Sequence, residues 1–248
     1  MIQAILFDLD DTLLTTTLRT FLPGYFRALT ARLGHLVDPK ALVDLIMAST
    51  TEMAMPHDPG LTNQEVFEAH FFPRIAIPEA TLRGLFDEFY AHDFPSLRAL
   101  TSPRPEARAV VAAAFAHCRD VVIATQPVFP QTAIRQRMEW AGVADFPFRL
   151  VTSYENMHSC KPQPAYYLEI AAILHRQPGE CLMVGNDREQ DIEPARQAGM
   201  ATYWVNDETP FGTDYDPRGS LARLTEFLSV CLPVSARDSA SVGQAFSP

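Results

Sequence analysis

Ile5-Leu6-Phe7-Asp8-Leu9-Asp10-Asp11-Thr12-Leu13 joins a core strand to a cluster of acids. An apolar run, Ile5 to Phe7, stops abruptly at three carboxylates packed into four residues. Like charges so close repel one another, and a carboxylate is costly to desolvate without a cationic partner. A hard divalent cation with oxygen ligands, such as Mg²⁺, meets that need. Open α/β sheets carry out their chemistry at the carboxyl ends of parallel strands, which is where this run places its acids. The competing reading is an acidic turn after an edge strand.

Working outward, five short apolar runs have the composition of buried parallel strands: Ala4 to Phe7, Val121 to Ala124, Phe148 to Val151, Cys181 to Val184 and Thr202 to Val205. Helical patterns separate the later ones. Gln131 to Ala141 follows Pro130, Gln163 to His175 follows Pro162, and Asp191 to Ala198 ends at Gly199, a natural helix stop. Strands alternating with helices predict an α/β, Rossmann-like doubly wound parallel sheet.

The interval between the first two strands breaks that rhythm. Leu18 to Leu33, Pro39 to Met53, Asn63 to Phe72 and Glu79 to Tyr90 carry apolar residues at helical spacing, as in Leu82, Leu85, Phe86 and Phe89. Pro95, Pro103 and Pro105 mark the return to the sheet. The expected organisation is a discontinuous core, 1–15 and 100–230, with an inserted α-helical cap over 16–99. The alternative is four helices that merely cover one face of the sheet. A last helix is expected near Ser220 to Leu228, and 231–248, poor in large apolar residues, reads as a flexible tail.

Composition narrows the function. Across 248 residues, 47% are hydrophobic and 20% charged, as in ordinary globular proteins. A net charge of −10 opposes general affinity for nucleic acid or an anionic membrane. No apolar run is long enough to span a bilayer, and the first residues read as core strand, not as a signal peptide. Cys118, Cys160, Cys181 and Cys231 are too scattered for a disulfide framework or a metal-ligand pair. A reducing cytoplasm is therefore the expected setting. Of 20 basic residues only Lys40 and Lys161 are lysines, so a lysine marks a place where a compact ammonium serves better than a planar guanidinium.

Each of three later strands is followed by a polar residue of a particular kind. Thr125 stands in Ala124-Thr125-Gln126-Pro127, Lys161 in Ser159-Cys160-Lys161-Pro162, and the fourth run leads into Gly185-Asn186-Asp187-Arg188-Glu189-Gln190-Asp191. Singly, Thr125 could cap a strand, Lys161 could be a solvated loop residue, and Asp187 and Asp191 could be helix N-terminal acids. Together with Asp8 and Asp10, the four segments resemble, in order and spacing, the four motifs of the haloacid dehalogenase superfamily. The insertion resembles that family's helical cap.

The resemblance implies an Mg²⁺-dependent phosphatase acting on a small phosphate monoester. Asp8 matches the nucleophile that forms an aspartyl-phosphate, and Asp10 the general acid and base. Thr125 and the backbone amide of Gln126 match phosphate donors, and Lys161 matches the ammonium that holds phosphate and nucleophile. Asp8, Asp10 and Asp187 are the expected metal ligands, with Asn186 assisting through its side-chain oxygen and Asp191 orienting Lys161. Two departures are visible: Gly-Asn where many relatives have Gly-Asp, and Gln126 where Asn is common. Dehalogenases of the family lack the second acid, and a phosphonatase needs a cap lysine, for which Lys40 is the sole candidate. A phosphomutase and a catalytically silent binding protein also remain open. The loop Met55 to Leu61, with His57 and Asp58, is the expected seat of specificity. The expected partner is a small phosphorylated metabolite, and the expected assembly a monomer or homodimer.

Overall fold

The computed structural model describes residues 1–16, 18–118, 120–207 and 217–231; the predicted tail lies otherwise outside them. β1 (Ala4–Phe7) is buried at every position, as a strand covered on both faces must be. β2 (Leu14–Thr15) follows, then α1 (Leu18–Leu33), α2 (Pro39–Ala54), α3 (Asn63–Phe71) and α4 (Glu79–Glu88). A wide turn, Phe89–Asp93, and a tight one, Phe94–Leu100, lead to β3 (Ser102–Pro103). The chain then alternates: α5 (Ala107–His117), β4 (Asp120–Ile123), α6 (Gln131–Trp140), β5 (Leu150–Val151), α7 (Pro164–Ile173), β6 (Cys181–Gly185), α8 (Glu193–Gln197), β7 (Ala201–Val205), β8 (Arg218–Gly219) and α9 (Leu221–Cys231).

Six strands form one parallel sheet in the order β5-β4-β1-β6-β7-β8. β1 lies between β4 and β6, with Phe7 level with Ile123 and Val184. Alternation along the strands divides the core. Ile5, Phe7, Val121, Ile123 and Val184 pack with residues of α5, α6 and α9, whereas Ala4, Leu6, Val122 and Met183 pack with residues of α7 and α8. Burying each large side chain of β1 contributes about 1.5–3 kcal/mol.

The four strongest strand runs appear as expected, while the Phe148 to Val151 run shortens to β5. Phe146 and Phe148 instead gather around Phe115 of α5, at 5.6 Å each between ring centroids. Gly199, at φ +89°, does close the α8 region. α5 is not among the expected helices, although Ala107, Val110, Val111 and Ala114 stand at helical spacing, whereas the two-residue β8 and the antiparallel pair β2–β3 are too short to carry a signal.

All four helices expected between the first two strands are present, and β2–β3 joins the two crossings of the chain at their base. They rest on the carboxyl edge of the sheet through specific bonds. Asn63 N–H donates to Met157 O, Gln64 N–H to Tyr154 O, Gln163 Nε2 to Ala54 O and Gln136 Nε2 to Tyr90 O, all at 2.7–2.8 Å. Phe94 stacks on Trp140 with ring centroids 5.4 Å apart. The hydrophobic cluster is consequently continuous from Ile5 and Phe7 to Phe21, Leu29 and Phe89.

Candidate active site

Asp8 is the first residue past β1. Its N–H donates to Val184 O at 2.9 Å, which continues the β1–β6 ladder, and its carboxylate is buried. Lys161 Nζ donates to Asp8 Oδ1 at 2.7 Å and to Asp191 Oδ1 at 2.6 Å. Burial alone would discharge this ammonium, but the carboxylates of Asp191 and Asp8 hold its pKa well above the ordinary lysine value. Burial likewise raises the pKa of the Asp191 carboxyl, against the pull of Lys161. Gly185 is required here by sterics: a Cβ at that position would collide with the Asp191 carboxylate.

Two residues past Asp8, the Asp10 carboxylate forms an ion pair through Oδ2 with Arg137 of α6. Asp10 Oδ1 is buried with no hydrogen-bond partner. Arg137 is itself only 2% exposed, and its guanidinium lies over the Phe129 ring at 5.3 Å. Burial lowers its pKa to about 10, so it remains a cation at neutral pH. Thr12, from the same turn, places Oγ1 3.2 Å from Asp8 Oδ2 and 3.0 Å from Asn186 Oδ1, linking the first and fourth segments.

The remaining expected residues meet at the same place. Thr125 Oγ1 is buried and unpartnered, while Thr125 O accepts from Tyr166 Oη and Thr152 Oγ1, both at 2.8 Å. The Gln126 side chain is engaged twice with the Lys161 backbone, accepting from its N–H at 2.9 Å and donating to its carbonyl at 3.0 Å. It ties the second segment to the third. Asp187 is exposed, and its Oδ1 accepts from the N–H groups of Glu189 and Gln190 at 2.8 and 2.9 Å, capping the turn that follows. Asn186 is thus the fourth-segment side chain bridged to Asp8, through Thr12, while Asp187 lines the rim of the same cavity.

Asp8, Asp10, Thr125, Gln126, Lys161, Asn186, Asp187 and Asp191 line one cavity of about 770 Å³ between the sheet edge and the inserted helices. Among its described lining residues, Asp8, Asp10, Asp11, Glu68, Asp87, Glu155, Asp187 and Asp191 face only three cations, Arg83, Arg137 and Lys161. Each of the three is already paired. An anionic substrate could enter such a site only with added positive charge. This excess of acids around the Asp8 carboxylate fits a divalent cation. Among the described residues, no three His, Cys, Asp or Glu side chains converge as a metal cluster, so the donors would be mixed, with amide and backbone oxygens beside carboxylate.

Three readings of the insertion change or settle. No residue of the Met55 to Leu61 loop lines the cavity; helix faces of α1 to α4 do so instead. His57 in that loop turns its Nδ1 to Met55 O at 2.9 Å. Lys40 sits in the first turn of α2, highly exposed and paired with Asp44 at 2.5 Å, far from any role as a Schiff-base lysine. Arg137 was not among the sequence candidates. Its signal is a charge set within the buried stripe Ala133, Ile134, Arg137, Met138 of α6, where an apolar residue would be expected.

The chain resembles the rat and human N-acylneuraminate-9-phosphatases, at 43% identity over 47 residues. That match spans 18% of this chain and 19% of those proteins. In fold it resembles a HAD phosphatase from Thermococcus onnurineus (TM-score 0.54, 20% identity, covering 93% of this chain and 98% of that one). It also resembles a 2-haloacid dehalogenase from Pseudomonas syringae pv. Tomato DC3000 (TM-score 0.62, 22% identity, covering 93% and 100%). Among the described residues, no helix is long and apolar enough to cross a membrane. The sequence profile of the haloacid dehalogenase-like hydrolases matches residues 2–199, and the chain belongs to that family.

Proposed function

We propose that this hydrolase is a phosphatase acting on a small phosphate monoester through an aspartyl-phosphate on Asp8, with Mg²⁺ as its cofactor. The observation that carries the reading is Asp10, fixed two residues past the nucleophile by a buried arginine, at the cavity wall and with its second oxygen buried and without a hydrogen-bond partner. Breaking a P–O ester bond releases an alkoxide, which needs a proton, and a halide does not. In the first step Asp8 attacks phosphorus, the ester P–O bond breaks, and Asp10 hands its proton to the departing oxygen. In the second, Asp10 takes a proton from water as that water attacks phosphorus and the P–O bond to Asp8 breaks.

Lys161 orients Asp8 and binds a phosphoryl oxygen, Asp191 holds Lys161, and Thr125 Oγ1 with the Gln126 N–H supplies donors to the others. Mg²⁺ would be held by Asp8, the Asp10 backbone carbonyl and a fourth-segment oxygen, that of Asn186 before that of Asp187. When bound it neutralises charge on phosphate and nucleophile. The helices between β2 and β3 act as a cap, closing over substrate and excluding water. Three buried free cysteines, Cys118, Cys160 and Cys181, support a reducing, cytoplasmic setting. The test is hydrolysis of an aryl phosphate with Mg²⁺, with EDTA, and with Asp8→Asn. Turnover requiring both metal and Asp8 supports the reading; metal-independent halide release from a 2-haloacid would overturn it.

A further inference from the structure

Besides its acids, the cavity is lined by rings. Phe26, Phe67, Phe86 and Tyr90 of the inserted segment face Phe129 and Tyr154 of the core, all half-buried and all lining the space. Tyr90 Oη lies 3.0 Å from Tyr25 Oη, so that polar group already has a protein partner. The volume falls within the roughly 300–1,000 Å³ typical of sites that enclose a whole organic ligand, not a phosphate alone.

The charge of the lining excludes a second anion. Arg83 is the sole cation that the inserted helices contribute to the described lining, and every nitrogen of its guanidinium is taken. Nη1 and Nη2 donate to Glu68 at 2.7 and 2.6 Å, and Nε and Nη2 donate to Glu79 at 2.9 and 2.7 Å. Its face lies over Phe72 at 4.7 Å. A carboxylate or second phosphate arriving here would meet Glu68, Asp87 and Glu155 with no free cation to receive it.

We infer that the phosphate monoester carries an aromatic, apolar alcohol portion with no second anionic group, an inference that rests on the phosphatase reading for its phosphate end. Stacking and edge contacts with the rings would hold it, and the paired Arg83 would reject acidic competitors such as phosphoglycolate.

The test compares benzyl phosphate with 2-phosphoglycolate, two esters of primary alcohols, on the wild-type protein with Mg²⁺. Benzyl phosphate is expected to have a kcat/KM at least about tenfold higher, mostly through KM, given the apolar area it buries. Calorimetry with benzylphosphonate and phosphonoacetate, which cannot be hydrolysed, repeats the comparison without turnover. If neither ester reacts but benzylphosphonate binds at least tenfold tighter, the phosphatase reading fails and the inference about the pocket stands. Equal or tighter binding of phosphonoacetate overturns the inference whatever the turnover. Two variants localise the effect: Phe86→Leu should reduce the benzyl preference, and Glu68→Gln, which loosens Arg83, should improve phosphoglycolate turnover. No change in the preference with either variant, both shown to be folded, would likewise overturn it.

Discussion

Arg137 on α6 reaches the carboxylate of Asp10 across 127 residues of sequence, and the pair is seated on the ring of Phe129 at the cavity wall. One oxygen of Asp10 is thereby fixed while the other is buried without a hydrogen-bond partner. Arg137→Leu is expected to lower kcat by about 10²-fold or more with little change in KM, within the range for impaired proton transfer. It also leaves Asp10, whose side chain is about a quarter exposed, without its cation, so stability should fall by less than the roughly 3–5 kcal/mol of a fully buried pair. Arg137→Lys should restore part of kcat, a recovery that a purely structural role would not produce. Steady-state kinetics beside urea unfolding checks this.

Asp10→Asn should slow turnover by about 10²–10⁴-fold. The loss should be greater for an alkyl phosphate than for 4-nitrophenyl phosphate, whose leaving group needs no proton. Accumulation of phosphorylated protein by intact mass, absent in Asp8→Asn, would locate the block at the second step. Equal losses on both substrates would remove Asp10 from leaving-group protonation.

The fourth segment offers two oxygens, and Thr12 bridges only Asn186 to Asp8. Asn186→Ala should raise the Mg²⁺ concentration for half-maximal activity at least about tenfold, while Asp187→Asn raises it less. Magnesium titrations of the two variants decide between them, and the reverse order would make Asp187 the ligand.

Gly185→Ala forces a methyl group into the space of the Asp191 carboxylate. The displaced carboxylate weakens its bond to Lys161, and overpacking of this kind costs about 1–3 kcal/mol. Activity should fall more than stability accounts for, as read by kinetics on a fully folded sample.

Acid stability should depend on Glu68. Burial would raise its pKa, but its bonds to Arg83 and Gln64 bring it below the usual glutamate value of 4.5. Its contribution is therefore full above that pH and lost as pH falls through the lower folded value. Glu68→Gln should flatten the decline of the thermal midpoint below pH 4.5, and an unchanged decline would place the acid sensitivity elsewhere.

The sheet was legible where burial is most complete. β1 and β6 are buried at every position, and β4 and β7 at most of theirs, so their apolar runs carry few polar residues to mark a solvent face. β2, β3 and β8 are two residues each, too short for any period to register. Asp8, Asp10 and Lys161 stood out since each breaks an apolar run or a scarcity of its own residue type. Arg137 and the rings lining the cavity did not stand out. One arginine in a helix stripe and aromatic residues on separate helices acquire meaning only when the fold sets them against Asp10 and one another.

The site is stitched from remote stretches: Lys161 meets Asp8 across 153 residues and Thr12 meets Asn186 across 174. No early-formed fragment of the chain contains a working set of these groups. Closing such long loops is slow and comes with the collapse of the whole sheet. A nascent or partly unfolded chain would therefore hold the reactive carboxylate of Asp8 without the ammonium that directs it. Catalysis itself becomes a reporter of complete folding, sensitive to any lesion that separates the first strand from the fourth segment, however far from the cavity it lies.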